Sequence, residues 1–418
     1  MSTEFHGKGK VAILKTSPET VLDDYARLME LAGFQEALPQ DKETILKINI
    51  SWQTWYPACS TAPWQLEGVI RALQAAGYEN LIGAHNNTVV VNAYVGEENN
   101  KHKYAVEKYG LRNVHLYEPQ YKWLRYEPKR PFLVLDKVYP EGVYVPEIFI
   151  GRNIIQLPTI KTHVFTTITG AMKNAFGGLL GQKRHWTHSV IHETVVDLLM
   201  IQQDIHPGLF AVMDGTFAGD GPGPRAMRCH EKDVILASAD LVAIDAMSAK
   251  MQGFDPLSLP FIRIAHEMGL GVGDPDQIEI VGEDRDWVMA QDWHFVQEDT
   301  FASRGQKAIY HGWLHPFEPL LLQTPLVPWS YLASNFYHNV YWYPFVGRKR
   351  VEAALETKWG RMFSEYGADA GLRGAVMPGM EAKTVTVAAI GLGALVAALG
   401  AGAWWLLRRR EQGECGQD

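Results

Sequence analysis

The chain has 418 residues, 47% of them hydrophobic and 21% charged, enough for one large α/β domain or two smaller ones. Its 47 acidic residues outnumber 39 basic ones, for a formal net charge of −8, which argues against nucleic acid as a partner because such binders carry a basic face. Cys59, Cys229 and Cys415 are odd in number and far apart. They exclude a disulfide framework and any CxxC cluster for zinc or an intrinsic iron–sulfur centre, and they fit a reducing compartment.

In chain order, the first residues, MSTEFHGKGKVAIL, show no apolar run behind basic residues, so no secretory signal is expected. KVAILK over 10–15 reads as a short buried strand. Residues 20–32 have helical spacing and end at Gly33, a suitable C′ residue. A strand is expected over 44–50, a helix over 63–76 ending at Gly77, and a strand over 80–84. This is the βαβ grammar of a mostly parallel sheet flanked by helices. Residues 96–147, polar and rich in Tyr, Lys and Pro, read as an α+β insertion, either a small antiparallel unit or a lid. The rhythm resumes with a strand at 153–157, a helix at 192–204, strands at 208–214 and 234–237, a helix at 241–251 and a strand at 277–281. These elements define a core domain over 1–284.

Residues 285–370 form an aromatic-rich extension, with Trp287, Trp293, Trp313, Trp329, Trp342 and Trp359 among scattered prolines. Its span 319–346 is too proline-broken for a regular membrane helix. It either packs on the core domain or forms a collar at a membrane interface, where Trp and Tyr concentrate and Arg348, Lys349 and Arg350 would meet head groups. After a linker over 371–384, residues 385–407 carry no charge, and at 1.5 Å per residue they can cross a ~30 Å hydrocarbon core. Gly391, Gly393, Gly400 and Gly402 suit close helix packing, Trp404 and Trp405 the interface, and Arg408–Arg410 open a basic tail over 408–418. One C-terminal transmembrane helix is therefore expected, with membrane lipid as its partner. The arginines alone would place the main domain outside; late insertion of the tail, which needs no signal, places it in the cytoplasm, the orientation expected here.

The segment 156–181, QLPTIKTHVFTTITGAMKNAFGGLLG, is the most informative stretch. Lys161, His163, Lys173 and Asn174 stand in otherwise apolar surroundings, where such groups are rarely kept without an anionic counterpart. With it, in order, come Lys47-Ile48-Asn49, MDG (213–215), GDGPGP (219–224) and SADLVAIDA (238–246). PTIKTH, TGAMKNAFGG and these motifs together resemble the domain of unknown function 362 family over about residues 10–285. Some members carry ferredoxin-like cysteine clusters, which implies redox chemistry for those members; this sequence lacks the cluster. It departs from the family again where Lys-Pro-Asn becomes Lys47-Ile48-Asn49, and where Gly-Asp after the third strand becomes Gly83-Ala84-His85-Asn86-Asn87.

Open α/β sheets bind ligands beyond the carboxyl ends of their strands. Lys47, Asn49, His85, Asn86, Lys161, His163 and Asp214 all fall at or just beyond expected strand ends and are expected in one crevice. Lys47, Lys161 and Lys173 supply positive charge and Asn49 and Asn174 oriented dipoles, a set suited to a carboxylate or phosphate. His163 is the candidate acid/base and Asp214 a candidate catalytic carboxylate. Asp214, Asp220 and Asp245 can also neutralise lysines or hold a divalent cation. The structural alternative pairs Lys161 or Lys173 with Asp240 or Asp245. GDGPGP is read either as an anion nest of backbone N–H groups, with Asp220 at the ligand, or as a tight turn. His185, His188 and His192 share a face if helical and are a candidate metal set.

Three functions remain open at this point. The first is an enzyme acting on a small anionic molecule through the Lys/His/Asn set. The second is a membrane-tethered redox or electron-transfer accessory that relies on a partner protein's cluster. The third is a non-catalytic protein that recruits a ligand to the membrane.

Overall fold

The computed structural model of the chain describes residues 4–86, 91–312, 316 and 334–367. Its centre is a ten-stranded sheet. In chain order the strands are β1 (Lys10–Lys15), β2 (Thr44–Ile48), β3 (Leu81–His85) and β4 (Arg112–His115). A separate two-stranded unit follows, β5 (Trp123–Arg125) and β6 (Tyr144–Pro146). Then come β7 (Asn153–Leu157), β8 (Thr159–His163), β9 (Thr167–Ile168), β10 (Leu209–Asp220), β11 (Arg228–Ser238) and β12 (Glu279–Gly282). The order across the sheet is β12-β1-β11-β10-β7-β2-β3-β4, with β8 alongside the far part of β10. Only β11 and the short β9 run against the others in it. The fold is thus mixed α/β with a mostly parallel sheet.

Both faces of the sheet are buried, and the strand pleat shows it. Val11 and Ile13 enter one apolar cluster, while Ala12 and Leu14 enter the other; Val234 and Leu236 alternate in the same way with Ile235 and Ala237. Helices α1 (Val21–Leu31) and α2 (Pro63–Ala75) cover one face; α4 (Ile191–Ile205) and α5 (Leu241–Gln252) cover the other. The short α3 (Ala171–Asn174) lies between, in the motif-rich segment. Local signals set the helix limits. Pro63 stands at the first position of α2, where Gln65 Oε1 accepts the Ala62 N–H at 3.1 Å. Asp240 caps α5 by accepting from Val242 and Ala243, and Gly253 ends it at φ +99°.

Several expectations change. β4 joins the main sheet, so the region 96–147 is in part an extension of that sheet, with β5–β6 as its antiparallel piece. The strands expected to stop at Asp214 and to begin at Val234 instead run to Asp220 and from Arg228. PTIKTH is not a loop beyond a strand but contains β8 itself. The extension after Glu283 adds helices, including Phe301–Tyr310 and a π-helix over Phe336–Gly347, and no strand among the described residues. It packs on the core domain: Trp359 and Phe363 are fully buried, Trp359 stacks on Trp64 at 5.3 Å and Phe363 on Trp55 at 4.0 Å. Trp342 is likewise buried against Trp52 and Tyr56, while Tyr341 and Phe345 face outward. The expected membrane span at 385–407, with its linker and tail, lies outside the described residues; among those described, no helix is long and apolar enough to cross a membrane.

Candidate functional site

A cavity of about 370 Å³ opens at the carboxyl ends of β2, β3, β7 and β8. Lys47, Asn49, His85, Asn86, Pro158 and His163 line it from those ends. Lys173 and Asn174 line it from α3, and Arg184, His185 and His188 from the turn before α4. Pro222 to Arg225 close one side, and Thr300, Ser303, Gln306, Tyr310 and His338 of the extension form a wall. No aspartate or glutamate lines it among the described residues.

The lysines are held in place by glycines and by a remote carboxylate. Lys47 is 4% exposed and its Nζ donates to the Ile48 carbonyl at 2.6 Å. A Cβ at Gly178 would sit 3.1 Å from both Lys47 Cε and Phe149, so the glycine leaves room for the lysine chain. Burial, with Arg184 adding to it, draws the Lys47 ammonium down to about 7. Lys173 is drawn to about 7 by burial and then by Lys161 and Arg184. Asp245, from the SADLVAIDA motif, accepts the N–H groups of Ala171 and Met172 at 2.6 and 3.0 Å. It thereby anchors the start of α3, the helix that presents Lys173 and Asn174. A Cβ at Gly170 would fall 2.3 Å from that carboxylate. Asn174 Nδ2 spans the Lys47 carbonyl and Gln156 Oε1, both at 2.9 Å, and ties α3 to β2 and β7.

His163 ends β8. Its Nδ1 accepts the backbone N–H groups of Phe165 and Thr166, and its Nε2 lies 3.1 Å from Lys173 Nζ. Burial first, then the Lys173 charge, hold it well below the ordinary histidine range. His188 stacks on Tyr310 and is lowered to about 3, chiefly by burial. His85, lowered to about 3 by burial, is backed by Glu97 at 3.1 Å, and the same carboxylate oxygen lies 2.7 Å from His115 Nε2.

The structure does not bring every expected residue to this cavity. Lys161 is fully buried elsewhere, donating to the Cys59 carbonyl at 3.0 Å and to Thr159 Oγ1 at 2.6 Å. Asp214 is satisfied in the interior by Tyr25 Oη at 2.6 Å, Trp64 Nε1 at 3.1 Å and Thr216. Gly68 makes this arrangement fit, since a Cβ there would meet the Tyr25 ring at 2.6 Å. Asp220, on β10, pairs with Arg228 at 2.8 Å and His230 at 3.0 Å and is held at about 2 against the effect of its burial. The nest reading of GDGPGP also gives way: the N–H of Gly221 donates to Val296 and that of Gly223 to Gly221, so neither is presented to a ligand. His185 and His188 line the cavity, but His192 stacks on Phe261 away from it. Among the described residues no group of three His, Cys, Asp or Glu side chains is placed to hold a metal. The pairing of Lys161 or Lys173 with Asp240 or Asp245 is absent too: both aspartates accept backbone N–H groups.

Sequence reasoning missed Arg184, Arg225, His338 and the wall at 300–310. Arg225 follows GDGPGP directly and Arg184 precedes His185, so adjacency to a marked motif was the available signal. The wall comes from residues more distant in the chain and gave none.

Compared with known proteins, the chain is 29% identical over 121 residues to the thylakoid-associated protein sll1697 of Synechocystis sp., an alignment covering 28% of this chain and 37% of that protein. No solved structure matches. Residues 44–250, which supply β2, β8, α3 and most of the cavity, match the model of the family described as domain of unknown function (DUF362).

Proposed function

We propose that this chain is an enzyme acting on a small carboxylate or phosphate molecule bound in the strand-end cavity. The observation that carries the reading is the lining itself: Lys47, Arg184 and Arg225, with Lys173 beside them, face a cavity to which no described acidic residue contributes. Such a space favours an anion electrostatically and offers charge-assisted hydrogen bonds to it. Asn49 orients the ligand, and Lys173, with His163 set against it, handles protons; burial has moved the pKa values of both groups away from their ordinary range. Lys161, Asp214 and Asp220 take no part in contact with the ligand.

The uncharged run over 385–407 would hold this domain beside a bilayer, and the thylakoid-associated name of a relative is in keeping with that. Calorimetric titration of inorganic phosphate and of lactate into the full chain tests the ligand class. Binding is expected to weaken with salt and to fall at least tenfold in Lys47→Met; equal binding in the variant would remove the site from the account. Flotation with lipid vesicles tests the anchor. The full chain should float and a chain ending at residue 384 should not, whereas co-flotation of both would reject the anchor.

A further inference from the structure

The hydrogen bonds around His163 determine which form of Lys173 fits beside it. Nδ1 accepts two backbone N–H groups, from Phe165 at 3.1 Å and Thr166 at 3.3 Å, so it carries a lone pair and no proton. A neutral imidazole has one N–H, which the network therefore assigns to Nε2. That nitrogen lies 3.1 Å from Lys173 Nζ. An ammonium at Nζ would set N–H against N–H, whereas a neutral amine accepts the Nε2 proton with its lone pair. A doubly protonated ring is excluded by the same geometry, because its second proton would point at two N–H donors. No carboxylate lines the cavity among the described residues to favour the charged lysine.

We propose that Lys173 is a Schiff-base lysine whose amine condenses with the carbonyl carbon of a small oxo acid, while Lys47, Arg184 and Arg225 hold the acid's carboxylate. This deepens the anion-site reading above and rests on it. The Nζ lone pair attacks the carbonyl carbon and forms the C–N bond as the C=O π pair moves to oxygen. Both amine protons pass to that oxygen, which leaves as water, and a C=N bond remains. Neither oxidant nor reductant is consumed. His163 is a positioning residue: it offers Lys173 a hydrogen-bond donor and no lone pair, which keeps the amine unprotonated, and the Nζ lone pair leaves this hydrogen bond as it turns to the carbonyl carbon. The lowering of Lys173 to about 7 by burial agrees with this. At neutral pH it gives Lys173 an unprotonated fraction on the order of 10³-fold above that of an ordinary lysine.

The test is reductive trapping of the full chain with pyruvate and cyanoborohydride, read by peptide mass spectrometry. Lys173 should be the dominant adduct, suppressed by excess lactate, absent in Lys173→Arg, and formed with a midpoint near pH 7. In His163→Phe, with folding checked by circular dichroism, the pH midpoint should move up, though not as far as the ordinary lysine range, because burial, Lys161 and Arg184 still lower Lys173; an unmoved midpoint would overturn the role given to His163. Lactate has no ketone carbonyl and reports the anion site alone. Lactate binding without a Lys173 adduct overturns the Schiff base and leaves the anion site standing; adducts spread evenly over surface lysines overturn it as well. Failure of lactate and phosphate to bind overturns both.

Discussion

Lys47→Met exposes the energetic consequence of building a cationic cavity from buried lysines. The Lys47 side chain is 4% exposed, and burial with Arg184 takes its pKa from 10.5 to about 7. At ~1.4 kcal/mol per unit, that interval makes the charged lysine unfavourable in the fold by on the order of 5 kcal/mol. Because the folded pKa lies below the unfolded one, the unfolded chain holds the extra proton between the two values. Wild-type stability therefore rises with pH across that window. The penalty is complete below about pH 7 and shrinks to ~2 kcal/mol by pH 9. Methionine has similar bulk but leaves the Ile48 carbonyl without the Nζ donor it has at 2.6 Å, a loss of ~1–3 kcal/mol. The variant should thus be about 2 to 4 kcal/mol more stable than wild type at pH 6 and close to it at pH 9. Urea unfolding of both proteins at the two pH values, in chloride buffers free of phosphate and carboxylate, measures the difference. A variant that is less stable by the same amount at both pH values would refute the reasoning, because it would show that the wild-type lysine carries no desolvation penalty.

Other positions report different parts of the account. Asp245→Asn turns an amide towards the Ala171 and Met172 N–H groups that the carboxylate accepts at 2.6 and 3.0 Å. It should weaken phosphate binding by loosening the start of α3, as calorimetry would show. Trp359→Ala empties a fully buried site stacked on Trp64 and should lower stability by ~3–5 kcal/mol, which a denaturant midpoint measures. Asp220 is held at about 2, below the ordinary 3.8, by His230 and Arg228 against its burial. Its contribution is present above about pH 4 and lost as pH falls towards 2, so Asp220→Asn should flatten the acid limb of the stability curve.

The sheet is legible in the sequence wherever a strand is an apolar run between turn residues, as in Lys10–Lys15 and Asn153–Leu157, whose bounds agree with those read from sequence. It is less legible in β10, because the run past Asp214, GTFAGDG, has the glycines and polar groups of a turn and yet pairs with β11 to Asp220. That misplaced end explains the Asp214 error. A polar residue at a strand terminus points to a crevice, but one inside a continuing strand takes partners from the covering helices, here Tyr25 and Trp64. Lys161 fails in the same way, since PTIKTH is itself a strand and the side chain reaches the Cys59 carbonyl. Lys47, Asn49, His163, Lys173 and Asn174 do share one cavity, because each lies at a parallel strand's carboxyl end or on the short helix that Asp245 caps. The wall from Ser303, Tyr310 and His338 depends on how the extension folds back, and no local pattern carries that information.

The account's central claim is that the strand-end cavity holds a small anion, and anomalous diffraction from crystals of the protein soaked in selenate tests it most directly. The prediction is a selenium peak within hydrogen-bond distance of Lys47 or Lys173 in the wild type and none there in Lys47→Met. Selenate found only on the outer surface, with the cavity bare of it in the wild type, would contradict the claim.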